Sequence, residues 1–469
     1  MLDTSSLRRH NRPVVCIQGL GFVGAAMAVA VAAARDREGR PLFSVVGIDL
    51  PTPLGQSRID QLNAGVFPFR TSDDALAQAT TDAHAAGNLR ASSDAAHFAD
   101  ASVILVDIHL DADASGEQAA VHFAPFRAAI RTIGTHMAPG ALVIVETTVP
   151  PGTCERVVAP ELAAALHARG LPRDAFLLAH SYERVMPGED YLASITNFWR
   201  VYAGHTEAAA DACERFLAQV INVEAYPLTR LASTTASEIA KVMENSYRAT
   251  NIAFIEEWAR FAEAVGVDLF EVINAIRVRP THNNIRQPGF GVGGYCLTKD
   301  PLFPGIATRQ LFDRPDLRFP FSELAIRTNR LMPIVSVNRI EQLLGATLRG
   351  KRVLLMGVAY RQDVADTRYS PAQTFVEEAR RRGAVVVAHD PLVTHWPEMD
   401  LPVTAELPAA DTVDAVVFAV PHRAYRDLDL RGWLRHGAPV VLDANAVLTT
   451  AQRQAVKDAG CVFAAIGQG

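Results

Sequence analysis

Cysteine is scarce in this chain: five residues among 469, at Cys16, Cys154, Cys213, Cys296 and Cys461, with no Cys-x-x-Cys pair. An odd and scattered set builds neither a disulfide framework nor, by spacing, a zinc site, so no metal is expected and a reducing, cytoplasmic setting is the natural reading. Aromatic residues are few (7%), and no basic tract occurs; Lys+Arg 45 against Asp+Glu 51 leaves a formal charge of −6. Nucleic acid is therefore not an expected partner. Long apolar runs are almost missing. The exception, Val14 to Ala34, carries no charged side chain, yet it opens on a β-run, turns through glycines and becomes alanine-rich. Strand, turn and small-residue helix describe it better than a membrane span. The residues before it, through Arg12, are polar and basic, without the apolar core of a signal peptide.

What is present suits packed cores: 49% hydrophobic and 20% charged residues exclude a disordered or low-complexity protein. The length suggests about three domains at ~150 residues each. Short β-branched runs alternate with Ala-rich stretches from Val14 to about residue 205, at Val14–Gln18, Phe43–Asp49, Val103–Val106, Leu142–Glu146, Phe176–Ala179 and Trp199–Tyr202. The alternation resumes after Lys351, with strands expected at Val353–Met356, Val385–Ala388, Ala415–Phe418 and Val440–Leu442. Continuous apolar runs separated by helices predict parallel, doubly wound sheets. Between these halves, residues 231–277 show a long helical period through Ile239, Val242, Met243, Tyr247, Thr250, Phe254, Trp258, Phe261 and Val265, ending at Gly266, and a second helical stretch covers 321–347. The expected fold class is α/β, with domains at 1–205, 206–347 and 348–469. The helical middle domain is also the expected dimerisation element, giving a homodimer or higher homo-oligomer.

Gly19-Leu-Gly21-Phe22-Val23-Gly24 stands where the first strand becomes the first helix. Gly19 makes a tight turn, Gly21 lets backbone approach a pyrophosphate, and Gly24 lets the helix pack on the strand, while the helix N-terminus favours the anion. Asp49 closes the next β-run, where an acidic residue holds ribose hydroxyls and disfavours a 2′-phosphate. The expectation is NAD rather than NADP. The gap between Gly24 and Asp49 is long, and Arg35 to Arg40 reads as a polar turn insertion.

Pro288-Gly289-Phe-Gly291-Val-Gly293-Gly294-Tyr-Cys296-Leu-Thr-Lys299-Asp300 is the most informative segment. Four glycines in six positions are costly in chain entropy unless backbone must approach something closely. A cysteine ending such a loop, beside Lys299 and Asp300, sits where a thiolate can form. The other four cysteines read as small buried hydrophobes.

With these motifs, the chain resembles the UDP-glucose/GDP-mannose dehydrogenase family, nucleotide-sugar 6-dehydrogenases that use NAD. The family pattern G-x-G-x-G-G-x-C-x-x-K-D is matched by Gly289 through Asp300. Around it fall, in order, Gly19–Gly24, Glu146-Thr-Thr148-Val-Pro-Pro-Gly152, Ser181-Tyr-Glu183-Arg184-Val-Met-Pro-Gly188, Glu238-Ile-Ala-Lys241-Val-Met-Glu-Asn245, Gly357 to Arg361, and Asp366 to Pro371. The resemblance implies two Rossmann-like domains joined by an all-helical one. It also implies four-electron oxidation of a C6 hydroxymethyl group to a carboxylate through a Cys296 thiohemiacetal and thioester. Lys241 and Asn245, four apart and so on one helix face with Glu238 and Arg248 beside them, are carried over as groups around the reacting oxygen. Asp300 is carried over as an acid/base or water-orienting group, and Glu183 with Thr148 as positioning the hydrolytic water. Gly19, Gly21, Phe22, Val23, Gly24, Asp49 and Thr148 are the implied cofactor residues. Glu183, Arg184, Lys241, Asn245, Gly289, Gly293, Arg361 and Arg368 are the implied substrate residues, the two arginines facing the diphosphate. Arg279 and Arg286 are weaker candidates.

The Ser181–Gly188 segment resembles the branch acting on UDP-N-acetylhexosamines, although Gly-Tyr-Cys also occurs among UDP-glucose enzymes that make UDP-glucuronate. Three positions depart from the pattern. Tyr182 stands where proline is common, Arg361 replaces the commoner lysine, and Val106-Asp107-Ile-His-Leu-Asp111 replaces a V-P-T-P segment. The acidic pair Asp107 and Asp111 beside bound phosphate predicts either a loop that turns away or an altered cofactor affinity. Two other classes compete. A single-step β-hydroxyacid dehydrogenase would need neither Cys296 nor a second α/β domain, and a non-catalytic dinucleotide sensor would lack Lys241, Asn245 or Cys296.

Overall fold

The computed structural model describes residues 12–114, 118–185 and 188–469. The polar N-terminal stretch, and Met186 and Pro187 of the Ser181–Gly188 motif, lie outside the described residues. The chain forms two compact units, residues 1–243 with 302–318 and residues 244–301 with 319–469.

In the first unit, β1 (Val14–Gln18), β2 (Ser44–Ile48), β3 (Leu89–Ser92), β4 (Ala101–Val106), β5 (Leu142–Val145), β6 (Leu177–His180), β7 (Val201–Gly204) and β8 (Thr229–Arg230) share one sheet in the order β3-β2-β1-β4-β5-β6-β7-β8. From β3 to β6 the strands run parallel. Apolar clusters lie on both faces of the sheet, which is why the strands read as unbroken Val/Ile/Leu runs. The helix α1 (Phe22–Ala33) is almost wholly buried, and its alanines let it lie close to the sheet.

Two features differ from the expected pattern. β7 pairs with β6 antiparallel, Ala179 opposite Gly204 and His180 opposite Ala203. Antiparallel pairing means that the chain re-enters the sheet at the end where β6 finishes. That also leaves Glu183 at the C-terminal edge of the parallel strands. The sheet then continues past residue 205, the expected domain end. The helix α2 (Glu207–Val220) packs on it through Phe216 and Leu217, and β8 pairs parallel to β7.

The helix α3 (Thr234–Val265) is longer than its apolar period alone demands, and Gly266 closes it with φ +76°. Its buried residues include Val242, Ala249, Ala253, Ile255, Ala259 and Ala262, whereas Ile239, Met243, Tyr247, Phe254, Trp258, Phe261 and Val265 are exposed. The large apolar stripe faces outward and the small residues face the protein.

In the second unit, α4 (Pro320–Leu344) and α5 (Pro371–Arg381) flank a sheet of β9 (Arg352–Met356), β10 (Val385–His389), β11 (His395–Trp396), β12 (Leu401–Thr404), β13 (Ala415–Phe418), β14 (Val440–Asp443) and β15 (Phe463–Ala465). The order is β11-β12-β10-β9-β13-β14-β15, parallel except for β11 with β12. Among the described residues no helix is long and apolar enough to cross a membrane.

Candidate active site

The first unit places its glycine turn at the sheet's switch point, where β1 lies between β2 and β4. Gly19 has φ +96°, and a Cβ there would lie 2.5 Å from the Asp107 carbonyl oxygen; one at Gly24 would collide with the Gly19 carbonyl. Gly21 faces open space, caps α1, and no acidic residue occupies the helix's first turn. A cradle closed to side chains on two sides and open on the third, with uncompensated helix N–H groups, suits a pyrophosphate. Phe22 stacks on Phe69 at 4.0 Å, and its carbonyl accepts from the Tyr191 hydroxyl. Val23 packs against the core. Asp49 follows β2, with Arg58 at 3.2 Å from its carboxylate.

Asp107 does not reach outward into solvent. Its Oδ2 is enclosed without a hydrogen-bond partner, as is Oε2 of Glu146. Glu146 is buried and ion-pairs with buried Arg200. Burial, with Glu146 and Glu183 nearby, pushes Asp107 well above the carboxylate range, and burial raises Glu146 to about 6 against the pull of Arg200. One guanidinium thus serves two acids. Asp111, by contrast, is exposed beside His109 at 3.3 Å. Only Asp107 therefore adjoins the glycine turn, and as an acid inclined to keep its proton.

The segment after β5 is fixed from two sides. Thr147 Oγ1 donates to the Ile108 carbonyl at 2.8 Å, and the Glu238 carboxylate on α3 accepts from the backbone N–H of Gly152 at 2.5 Å and of Cys154 at 2.8 Å. Burial raises Glu238 to about 7, although both backbone donors oppose the shift. Thr148 sits half-exposed in the segment so held. Lys241 is buried on the same helix and donates to the Glu183 carbonyl at 2.8 Å, with its Nζ 3.9 Å from Glu183 Oε1. The Glu183 carboxylate also accepts from the Val185 N–H. His180 is held unprotonated: burial, with Lys241 and Arg200 adding to it, lowers its pKa to about 3. Arg184 donates to the Trp199 carbonyl at 2.5 Å and to the Tyr182 hydroxyl, so it braces its own loop.

In the second unit the glycine loop lies against the loops that follow β9 and β14 and against the start of α5. A Cβ at Gly289 would lie 2.8 Å from Asn445 Oδ1, one at Gly293 2.7 Å from Pro371, and one at Gly294 (φ +81°) 2.9 Å from the Tyr360 ring. Close approach is thus the reason for the glycines. All five cysteines lie among the described residues, and Cys296 alone is exposed. Burial pushes Cys16 up to about 12, Cys154 and Cys213 well up, and raises Cys461. Cys296 opens a turn in which the Asp300 N–H donates to its carbonyl at 3.0 Å. The buried Asp300 carboxylate is gripped on both oxygens, by Asn245 Nδ2 at 2.7 Å and Lys299 Nζ at 2.7 Å. Lys299 also lies 4.3 Å over the Tyr295 ring. Arg248, on α3, is close enough to Arg286, Cys296 and Arg361 for their charges to act on it; burial and the two guanidiniums lower its pKa. A solvated helix face is therefore not what Glu238, Lys241 and Asn245 form: all three are buried.

A cavity of about 290 Å³ opens at the switch point of the second sheet, bordered by Gly291, Tyr360, Arg361, Val420 and Asn445. Arg361 borders it. Arg368 instead grips Asp366 bidentately, at 3.0 and 2.8 Å.

Three family models match in order along the chain: the NAD binding domain of the UDP-glucose/GDP-mannose dehydrogenase family over residues 13–221, its central domain over 235–330, and its UDP binding domain over 354–450. The chain belongs to this family. The UDP-N-acetyl-D-mannosamine dehydrogenase of Pyrococcus horikoshii is 28% identical over 465 residues, covering 97% of this chain and 99% of that protein. The NDP-N-acetyl-D-galactosaminuronic acid dehydrogenase of Ralstonia nicotianae is 30% identical over 435 residues, covering 88% and 92%. The solved UDP-glucose dehydrogenase of Pyrobaculum islandicum superposes with a TM-score of 0.80 at 26% identity, covering 100% of both chains. This chain is accordingly an NAD-dependent nucleotide-sugar dehydrogenase. Within that family, its glycine cradle falls in the NAD binding match and its second-sheet cavity borders residues of the UDP binding match. The clamp by Glu238 and the charge environment of Arg248 carry no sequence signal beyond their place on the helix.

Proposed function

We propose that the chain oxidises the C6 hydroxymethyl group of a UDP-N-acetylhexosamine to the carboxylate. The observation that carries this reading is Cys296: an exposed thiol at the end of a glycine loop, one turn from a buried carboxylate held by Asn245 and Lys299. NAD, one molecule for each oxidation, would supply the hydride acceptor when held in the glycine cradle. Lys241 and Asn245 donate to the C6 oxygen as negative charge develops. The Cys296 sulfur then adds to the C6 aldehyde carbon, and the carbonyl oxygen takes a proton to give a thiohemiacetal. Loss of the second hydride from C6 and of the hydroxyl proton leaves a thioester. Water oriented by Glu183 and Thr148 adds to it, and the C–S bond breaks, returning the thiol and the acid. Asp300 relays the protons. Gly19, Gly21, Gly24 and Asp49 hold the dinucleotide, and Arg361 faces the diphosphate.

The acetamido sugar is favoured by the names of the 28% and 30% identical relatives. The functional division follows the N-terminal NAD-binding part, the helical middle and the C-terminal UDP-sugar-binding part. The outward stripe from Ile239 to Val265 covers itself against a second copy of the chain in the cytoplasm, a homodimer through α3. A panel of UDP-sugars with NAD tests the reaction: about two NADH formed per sugar consumed supports it, one per sugar overturns it, and turnover of UDP-glucose alone moves the substrate.

A further inference from the structure

His422 is fully buried in the second unit and lies outside every motif named above. Its ring nitrogens are engaged in opposite senses. The Asp363 backbone N–H donates to Nδ1 at 3.0 Å, and a backbone N–H can only donate, so Nδ1 is the acceptor. Nε2 then carries the hydrogen, 3.2 Å from Asp390 Oδ2. That same Asp390 oxygen accepts from the N–H groups of Val358 at 2.9 Å and Ala359 at 3.2 Å, while its other oxygen accepts from Leu392 and Val393.

The segment Val358–Asp363 is therefore fastened at both ends. Asp390 holds its start and His422 its finish, and the imidazole links the two anchors. Asp363 is kept in the left-handed region, φ 55°, a conformation that a non-glycine residue seldom keeps unless its surroundings hold it. The surroundings do so: its carboxylate accepts from the Arg423 N–H at 3.1 Å and from Arg423 Nε at 2.9 Å. Between the two fastenings the segment carries Tyr360 and Arg361 to the wall of the 290 Å³ cavity, and Val420, two residues before His422, forms another part of that wall.

The geometry points to His422 as a positioning residue for the sugar nucleotide, setting the place of Arg361 through its bond to the Asp363 backbone. This rests on the reading of the cavity as the sugar-nucleotide site. UDP binding to the full-length chain, followed by calorimetry, separates the two. A wild-type chain that takes up no UDP overturns the reading of the cavity; binding that is weakened by Arg361→Ala upholds it and isolates the role of His422.

His422→Ala is then expected to raise the Kd for UDP about tenfold, roughly 1.4 kcal/mol, and to raise KM for the UDP-sugar while KM for NAD is unchanged. His422→Asn places an amide oxygen where Nδ1 stood and restores the Asp363 bond, so it recovers most of the affinity. His422→Gln reaches Asp390 and leaves Asp363 unmet, so it behaves like the alanine variant. UDP binding by His422→Ala at the wild-type level overturns the inference. Rescue by glutamine but not asparagine overturns it as well, and so does equal weakening in all three variants.

Discussion

Asn245 donates through Nδ2 to Oδ2 of Asp300 at 2.7 Å, inside the protein and away from solvent. With Lys299 on the other oxygen, the carboxylate is fully claimed and its orientation is set. Asn245→Ala removes one of two donors from a buried charge, and the proposed oxyanion contact with it. A fall in kcat of about 10²–10³ is expected, with KM for NAD unaltered. Asn245→Asp sets two carboxylates against each other and is the more damaging change. Steady-state kinetics of both variants check this ordering.

Cys296→Ala removes the thiol that the reaction requires between its two hydride transfers. Acid formation is expected to fall by about 10³-fold or more, leaving any NADH production at one per sugar. Chromatographic detection of the uronate product decides it; undiminished acid from this variant defeats the covalent route.

The two arginines carried over as phosphate contacts are expected to part company. Arg361 borders the cavity, while both arms of the Arg368 fork meet Asp366. Arg361→Ala should raise KM for the UDP-sugar about tenfold, the loss of one charge-assisted contact, and Arg368→Ala should raise it far less. Equal effects would show that Arg368 leaves Asp366 when substrate binds.

Asp107 and Glu146 make stability depend on pH. Glu146 sits at about 6 in the folded chain against an ordinary 4.5, and Asp107 is raised too. The folded state therefore holds these protons more tightly than the unfolded chain; the Glu146 contribution is complete below pH 4.5 and is lost as the pH rises through 6, and that of Asp107 is lost in the same direction. Asp107→Asn removes one acid at nearly constant size. It should be more stable than wild type at pH 8, with the gap narrowing as the pH falls. Urea unfolding at the two pH values measures it.

Trp258 and Phe261 sit edge to face, 6.1 Å apart, in the middle of the outward stripe on α3. Replacing both by glutamate is expected to convert a dimer into a monomer in sedimentation velocity. A wild-type chain that already sediments as a monomer defeats the assembly.

Much of this was legible in the chain itself. The strands from Val14 to Leu442 stand out because burial on both faces demands unbroken apolar runs, and the glycine turn stands out because only glycine tolerates the backbone contacts at Gly19 and Gly24. Leu89–Ser92 escapes that logic, being four residues long with Arg90 in it. The reversed direction of β7 is set by where a loop lies, which no local run encodes. On α3 the period was clear but the buried face was not, because alanines face the protein and bulky residues face out. At the site, the glycine loop itself pointed to Cys296, while Asp300, Lys241 and Asn245 came from the family resemblance. The attachment of Arg368 to Asp366, the inward turn of Asp107 and the bridging by His422 depend on partners that only folding supplies.

Because four of the five sulfur atoms are buried and the fifth lies at the surface, the native molecule offers a chemist a single address. A coloured disulfide reagent should react quickly with one equivalent and slowly with the rest until denaturant is added. A fluorophore attached there would report on the heart of the proposed reaction centre without any engineered mutation.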